Sequence, residues 1–292
     1  MDASLRNAVD WKVLLGFLSE GDANNFVAAQ GFELPPEKSE EIKAEIKEAI
    51  SYVSGISGRR HLKPEIKEIP QRFQPHLQQV SKQSTFPETH QGMKSWSFGM
   101  VEIRKIHCFQ QNINLEYIEQ LLEKTPAPDD PEGTLEFCLP SKGPEGSPVL
   151  VGYNQNTFTY SVVSENLDLR ILGNIQGEDP VTKRKFLGFG FGGGLRQMSV
   201  VEYQGVYMIK NGYHRAYALA KKGHTYMPCL VVKTDSYLLT GANAPGFFPV
   251  DLMTSDKSPI IDDFFSKAAV NAPRRRLRVV LTIHGEAQVI PT

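Results

Sequence analysis

Apolar positions recur at helical spacing from residue 4 to about residue 30, through Val9, Leu14, Leu15, Phe17 and Leu18, until Pro35-Pro36 interrupts the chain. Short helices are expected there. Residues 37–53 set Ile42, Ile46 and Ile50 four apart among interleaved lysines and glutamates, the pattern of an amphipathic helix with a solvated face. Residues 1–55 therefore read as an N-terminal helical extension. From 56 to 99 the chain is polar, carries Gly58, Pro64, Pro70, Pro75 and Pro87, and keeps no sustained period, which predicts an extended linker or strap. A strand over 100–106 and a helix over 115–122, with Leu115, Ile118, Leu121 and Leu122 in one stripe, open a core spanning 100–235.

Within that core, residues 124–187 are rich in Pro, Gly and Asp and are expected to be an insertion with some β structure, including strand-like patches at 157–163 and 167–172. The Gly-Phe alternation from Gly188 to Gly194 satisfies G-x-G-x-x-G, yet strands follow it where a dinucleotide site requires a helix. A flexible loop bordering a site is expected instead. Residues 197–203 and 206–210 favour strands and are separated by Gln204-Gly205, which predicts a hairpin with a two-residue turn. Asn211-Gly212 ends the second strand; a helix follows over 213–222, with Gly223 placed to stop it and a strand beginning at Pro228. Residues 236–292 are expected to pack on the core as a C-terminal extension, with a short helix near 262–269 and a β-like run at 277–283.

The 292 residues suffice for a sizeable core, and 32 basic against 33 acidic residues give a net charge of −1. No global field favours DNA, so any nucleic-acid contact must be local. Arg274, Arg275, Arg276 and Arg278 form one cluster that could hold phosphates, but a charge-protected sheet edge is the commoner explanation of such a run. Three cysteines, Cys108, Cys138 and Cys229, without C-x-x-C spacing, argue against a disulfide scaffold or a cysteine zinc site. With no run of about 18 apolar residues, a cytoplasmic protein without membrane contact is expected.

The chemistry-bearing segment is the turn Asn211-Gly212-Tyr213-His214-Arg215. Gly212 permits a sharp bend, the first helical amides lack internal acceptors, and the helix dipole adds positive potential at the same place. A phosphate suits such a site. Arg215 can fork onto phosphate oxygens and His214 can donate a bond or relay a proton. The spacing alone is equally compatible with a structural helix start in which Arg215 and His214 make ordinary internal contacts.

The run Ile209-Lys210-Asn211-Gly212-Tyr213-His214-Arg215-Ala216-Tyr217-Ala218, with Gly223 and Met227-Pro228-Cys229-Leu230-Val231 after it, resembles the second conserved box of the ParB/sulfiredoxin-like superfamily. The segment Val101-Glu102-Ile103-Arg104-Lys105-Ile106-His107-Cys108-Phe109-Gln110, followed by the helix from Leu115, resembles the first. Members include chromosome-partition CTPases, sulfiredoxins, free-serine kinases and nucleases. The resemblance implies an α+β fold, a small mixed-sheet core, with a nucleotide of the ATP or CTP class, and Mg²⁺ where catalysis occurs. It implies phosphate or nucleotide binding by Asn211, Gly212, Tyr213, His214, Arg215 and Gln110, with His214 and Glu102 as catalytic candidates.

Tyr213 stands where sulfiredoxins need cysteine, and Gln111-Asn112 follow Gln110 where partition proteins carry arginine, so both of those activities are disfavoured. Asp168, Glu178 and Asp179 in the insertion are further carboxylate candidates. Three functions remain: nucleotide binding with hydrolysis or phosphate transfer, a non-enzymatic regulatory or DNA-associated module, and a metal-dependent nuclease.

Overall fold

The structure, a computed structural model, describes residues 8–30, 34–83, 86–142, 149–164, 169–193, 197–243, 246–275 and 279–285. In chain order its elements begin β1 (Ala8–Val13), α1 (Glu20–Ala28), α2 (Pro36–Ser54), β2 (Ile66–Lys67), α3 (Gln74–Ser81), α4 (Phe86–His90) and β3 (Ser95–Glu102). β4 (Asn112–Asn114), α5 (Leu115–Lys124) and α6 (Pro131–Cys138) follow, then β5 (Leu150–Asn154), β6 (Thr159–Ser164), β7 (Leu169–Glu178) and β8 (Lys185–Gly193). The chain continues through β9 (Ser199–Tyr203), β10 (Val206–Asn211), α7 (Tyr213–Lys221), β11 (Tyr226–Thr234), α8 (Val250–Met253), β12 (Val270–Arg275) and β13 (Val279–His284). Helices and mixed sheets together make this an α+β protein, the expected class.

Two compact units divide the chain: Met1–Lys142 with Arg196–Arg276, and Gly143–Leu195 with Leu277–Thr292. The first unit is built on a mixed sheet in the order β10-β9-β11-β3-β2. Its hairpin β9–β10 turns through Gln204 and Gly205, whose φ angles of 50° and 83° are those of a type I′ turn, and Val206 pairs with Tyr203 as the sequence predicts. α7 then carries the chain past β9 to β11, which pairs parallel to β9. β10 and β11 thus flank β9 and run in opposite directions, so the expected β-turn-α-β unit is present but is not a crossover between parallel neighbours. Ile118 of α5, Leu135 and Cys138 of α6, and Ala216, Leu219 and Ala220 of α7 are buried in one core with Val200, Val201, Leu230 and Val232 of the sheet.

The N-terminal segment bears out the short helices in part, with α1 at Glu20–Ala28, and corrects the helical reading ahead of it. Residues 8–13 form β1, the centre of a three-stranded sheet β12-β1-β4, because Val9, Trp11 and Val13 are buried while Asp10 is exposed. That is a period of two, which the neighbouring Leu14, Leu15 and Leu18 disguise as helical spacing. α2 forms as expected and buries Ile42, Ile46, Ala49 and Val53. Each large apolar side chain so buried contributes about 1.5–3 kcal/mol. Gly16 allows this close packing, since a Cβ there would stand 2.7 Å from the Ala49 carbonyl oxygen.

Four further readings differ from the structure. The supposed linker over 56–99 contains α3, α4 and most of β3, and it buries Leu77, Val80 and Phe86 in the core. Helices of eight and five residues are too short to impose a readable period. The insertion begins later than residue 124, because α6, capped by Asp130 on the Gly133 amide, belongs to the first unit. The C-terminal extension divides: β12 pairs with β1 in the first unit, whereas β13 pairs with β6 in the second. Residues 188–193, expected as a flexible loop, lie in β8, paired with β7 from Glu178↔Lys185 to Leu169↔Gly193.

Candidate functional site

α7 starts on Gly212, whose φ of 103° and ψ of 28° lie in the left-handed region. An L side chain is strained there, and a Cβ would also meet Met198 Cγ at 2.8 Å, so glycine is required twice over. The helix has no side-chain cap and no acidic residue in its first turn. Ala216 N–H bonds the Gly212 carbonyl at 2.8 Å, while the amides ahead of it have no intrahelical acceptor. The other end is closed by Gly223, with φ 93°, in a Schellman arrangement: Gly223 N–H donates to Ala220 O and His224 N–H to Leu219 O.

Around the turn the side chains tie separate segments together. The buried Tyr213 hydroxyl accepts the amides of Phe109 at 3.1 Å and Gln110 at 3.3 Å, and burial raises its pKa well above the ordinary tyrosine value. His214 Nε2 accepts the Asn114 amide at 3.2 Å, and its ring meets Tyr117 edge-on. That bond places the proton of the neutral ring on Nδ1. Burial lowers the His214 pKa to about 4, so the imidazole is neutral near pH 7. Arg215 Nη1 donates to Phe137 O at 3.0 Å, one of the carbonyls that end α6. Asn211 Nδ2 donates to Gln197 O at 3.0 Å, and Gln110 Nε2 to Asn112 O at 2.9 Å.

Asn211, Gly212, Tyr213, His214, Arg215 and Gln110 are therefore brought together, as the sequence implied, but Glu102 is not among them. Tyr226 pairs with Glu102, and Ile103 N–H donates to Thr225 O, which puts this carboxylate at the C-terminal end of α7. Nine helical residues, about 13 Å, separate that end from Gly212. Glu102 instead accepts the Glu65 amide at 3.1 Å and pairs with Lys105 at 3.0 Å. His214, with Nε2 committed to Asn114, is a poor proton relay.

The remaining carboxylate candidates offer no support either: Asp168 lies outside the described residues, and Glu178 and Asp179 sit at the β7–β8 turn of the second unit, where Asp179 accepts the amides of Val181 and Thr182. Among the described residues no three His, Cys, Asp or Glu side chains are grouped to hold a metal, and the first turn of α7 contains no acidic residue. Arg274 is likewise no open phosphate ligand: it lies over the rings of Trp11 and Phe26 and donates to Gln30 Oε1 at 3.1 Å. Arg275 is part of β12, and Arg276 and Arg278 lie outside the described residues.

Sequence reasoning missed the partners Phe137, Asn114 and Met198, because they lie remote in the chain from the turn they support. It also missed a buried polar junction at His107, whose Nδ1 lies 2.8 Å from Ser258 Oγ and whose Nε2 lies 3.4 Å from Leu62 O. Beside it Arg59 and Asp263 form a two-pronged ion pair. Burial, the larger cause, and the Arg59 charge lower the His107 pKa to about 4. His107 and Ser258 are both fully buried, so this pair joins segments and does not face a substrate.

Among the described residues no helix is long and apolar enough to cross a membrane. Comparison with protein-family models, curated proteins and solved structures gives no match.

Proposed function

We propose that the first unit binds a phosphate-bearing ligand of the nucleotide class at the N-terminus of α7 and serves as a ligand-responsive binding module. The observation that carries this reading is the opening of α7 on left-handed Gly212 without a side-chain cap or an acidic residue, which leaves an anion as the natural acceptor for the Tyr213 and His214 amides. The family resemblance of the same residues supports a nucleotide as the source of that anion. Arg215 acts here by holding the end of α6 beside the turn. Because Tyr213, His214 and Arg215 each bind a different segment, ligand at their amides would bias the packing of α5 and α6, which is how binding alone can alter partner contacts. Among the described residues the first turn of α7 itself holds no acidic side chain, which is consistent with this module and supplies no base or Mg²⁺ ligand for a phosphotransferase or nuclease.

The test is thermal unfolding against ATP, CTP, GTP and inorganic phosphate, with and without Mg²⁺, for the wild type, His214→Gln and His214→Glu. A ligand at about 100 times its Kd adds about 2.7 kcal/mol to the native state. In a unit of this size that raises Tm by about 5–10 °C. The shift is expected in the wild type and His214→Gln and lost in His214→Glu, whose carboxylate occupies the same positive field. No shift with any of these phosphates, or an equal shift in His214→Glu, refutes the site.

A further inference from the structure

We propose that the outer edge of β8 is a homodimer interface, at which two copies of this chain join their β7–β8 hairpins into one four-stranded antiparallel sheet. β7 and β8 form a two-stranded sheet with no third strand among the described residues. A two-stranded ribbon is marginal by itself in water. At its turn Asp179 N–H bonds Arg184 O at 2.8 Å, and the register runs on through Glu178↔Lys185, Gln176↔Leu187 and Asn174↔Phe189. Antiparallel alternation then directs the main-chain groups of Lys185, Leu187 and Phe189 away from β7, toward the open edge.

Edge strands are ordinarily protected by a proline, a central charge or a bulge. β8 reads Lys185-Phe186-Leu187-Gly188-Phe189-Gly190-Phe191-Gly192-Gly193: it has no proline, and its only charge is at its first residue. The register shift lies on β7, between Ile171 and Gly173, and breaks the outer edge of that strand instead. β8 is therefore the edge open to extension.

A second copy fits this edge because the strand is its own complement. A two-fold axis through Phe189 sets Phe189 against its counterpart, Leu187 against Phe191, and Lys185 against Gly193, so apolar positions meet and the two lysines lie at opposite ends. Leu187 is 57% exposed and Phe189 37%, with Phe186 and Ile175 also exposed on the hairpin. A strand pair of this length, with its flanking side chains, covers roughly 600–1,000 Å² in total, at the low end for protein interfaces, and makes the dimer concentration dependent.

Sedimentation velocity of the full chain from about 2 to 200 µM should show the 32.6 kDa monomer giving way to a species of twice that mass. Leu187→Lys combined with Phe189→Lys should remain monomeric throughout with an unchanged circular dichroism spectrum. Phe189→Cys tests the register even if the double variant misfolds, since a hydrogen-bonded antiparallel pair places Cα atoms about 5.5 Å apart, within disulfide reach. The native cysteines are all buried. Mild oxidation should link Phe189→Cys chains at high concentration but not Asn174→Cys chains, whose thiol lies across β7 from the axis. A monomer at all concentrations, a dimer retained by a folded double variant, or equal linking at both cysteine positions would overturn the proposal.

Discussion

Lowering the pH should destabilise this protein through His107, and the size of the effect follows from its surroundings. The ring is fully buried beside the Arg59 guanidinium, and its pKa falls from 6.5 to about 4. The unfolded chain therefore takes up a proton at a pH where the folded chain refuses it. Above pH 6.5 neither state is charged at this residue and there is no penalty; the penalty grows as the pH falls through 6.5 and is complete below about 4. At 1.36 kcal/mol per pKa unit the loss is about 3 kcal/mol. That is a large part of the roughly 5–15 kcal/mol that holds a domain folded.

Asp263, whose pKa burial raises, works in the opposite direction, so the total pH dependence does not isolate the histidine. Comparison with His107→Gln does. Urea unfolding followed by tryptophan fluorescence, at intervals from pH 7 to pH 4, should find the variant less stable at pH 7, because the contact with Ser258 is perturbed. The difference between the two proteins should then shift by about 3 kcal/mol in favour of the variant by pH 4. A difference that stays constant over that range would refute the claim that His107 is held neutral by burial.

Two substitutions probe the α7 turn. Gly212→Ala should lose about 2–4 kcal/mol in denaturant unfolding, combining left-handed strain with overpacking against Met198; measured within a Met198→Ala background its cost should fall only by the packing part, and a cost of zero there would rule out the backbone contribution. Arg215→Ala should cost about 1–2 kcal/mol and increase hydrogen exchange at the end of α6, since it releases the Phe137 carbonyl. An unchanged exchange pattern there would separate Arg215 from α6.

Much of the turn was legible because its determinants are local. The Gln204-Gly205 hairpin, the helix start at Gly212 and the helix stop at Gly223 each depend on backbone conformations that a few adjacent residues impose. The role of Arg215 was not legible in the same way: its charge and position invite a phosphate, but the nearby carbonyl that accepts from it comes from α6, 78 residues earlier in the chain. Glu102 shows the reverse error. It belongs to the segment expected beside the turn, yet β3 runs antiparallel to β11 and delivers it to the far end of the helix.

By itself the sequence determined the α+β class, the amphipathic α2, the β9–β10 hairpin and the glycine-bounded α7, since periodicity and turn chemistry act over a few residues. Only the tertiary structure decided that residues 8–13 are a strand, because a short run with Val9, Trp11 and Val13 acquires its period when β12 and β4 pair on either side. It also decided which polar groups surround the turn and which carboxylate is excluded from it. Strand order and register depend on contacts between residues far apart in the chain, whose energies no local pattern contains.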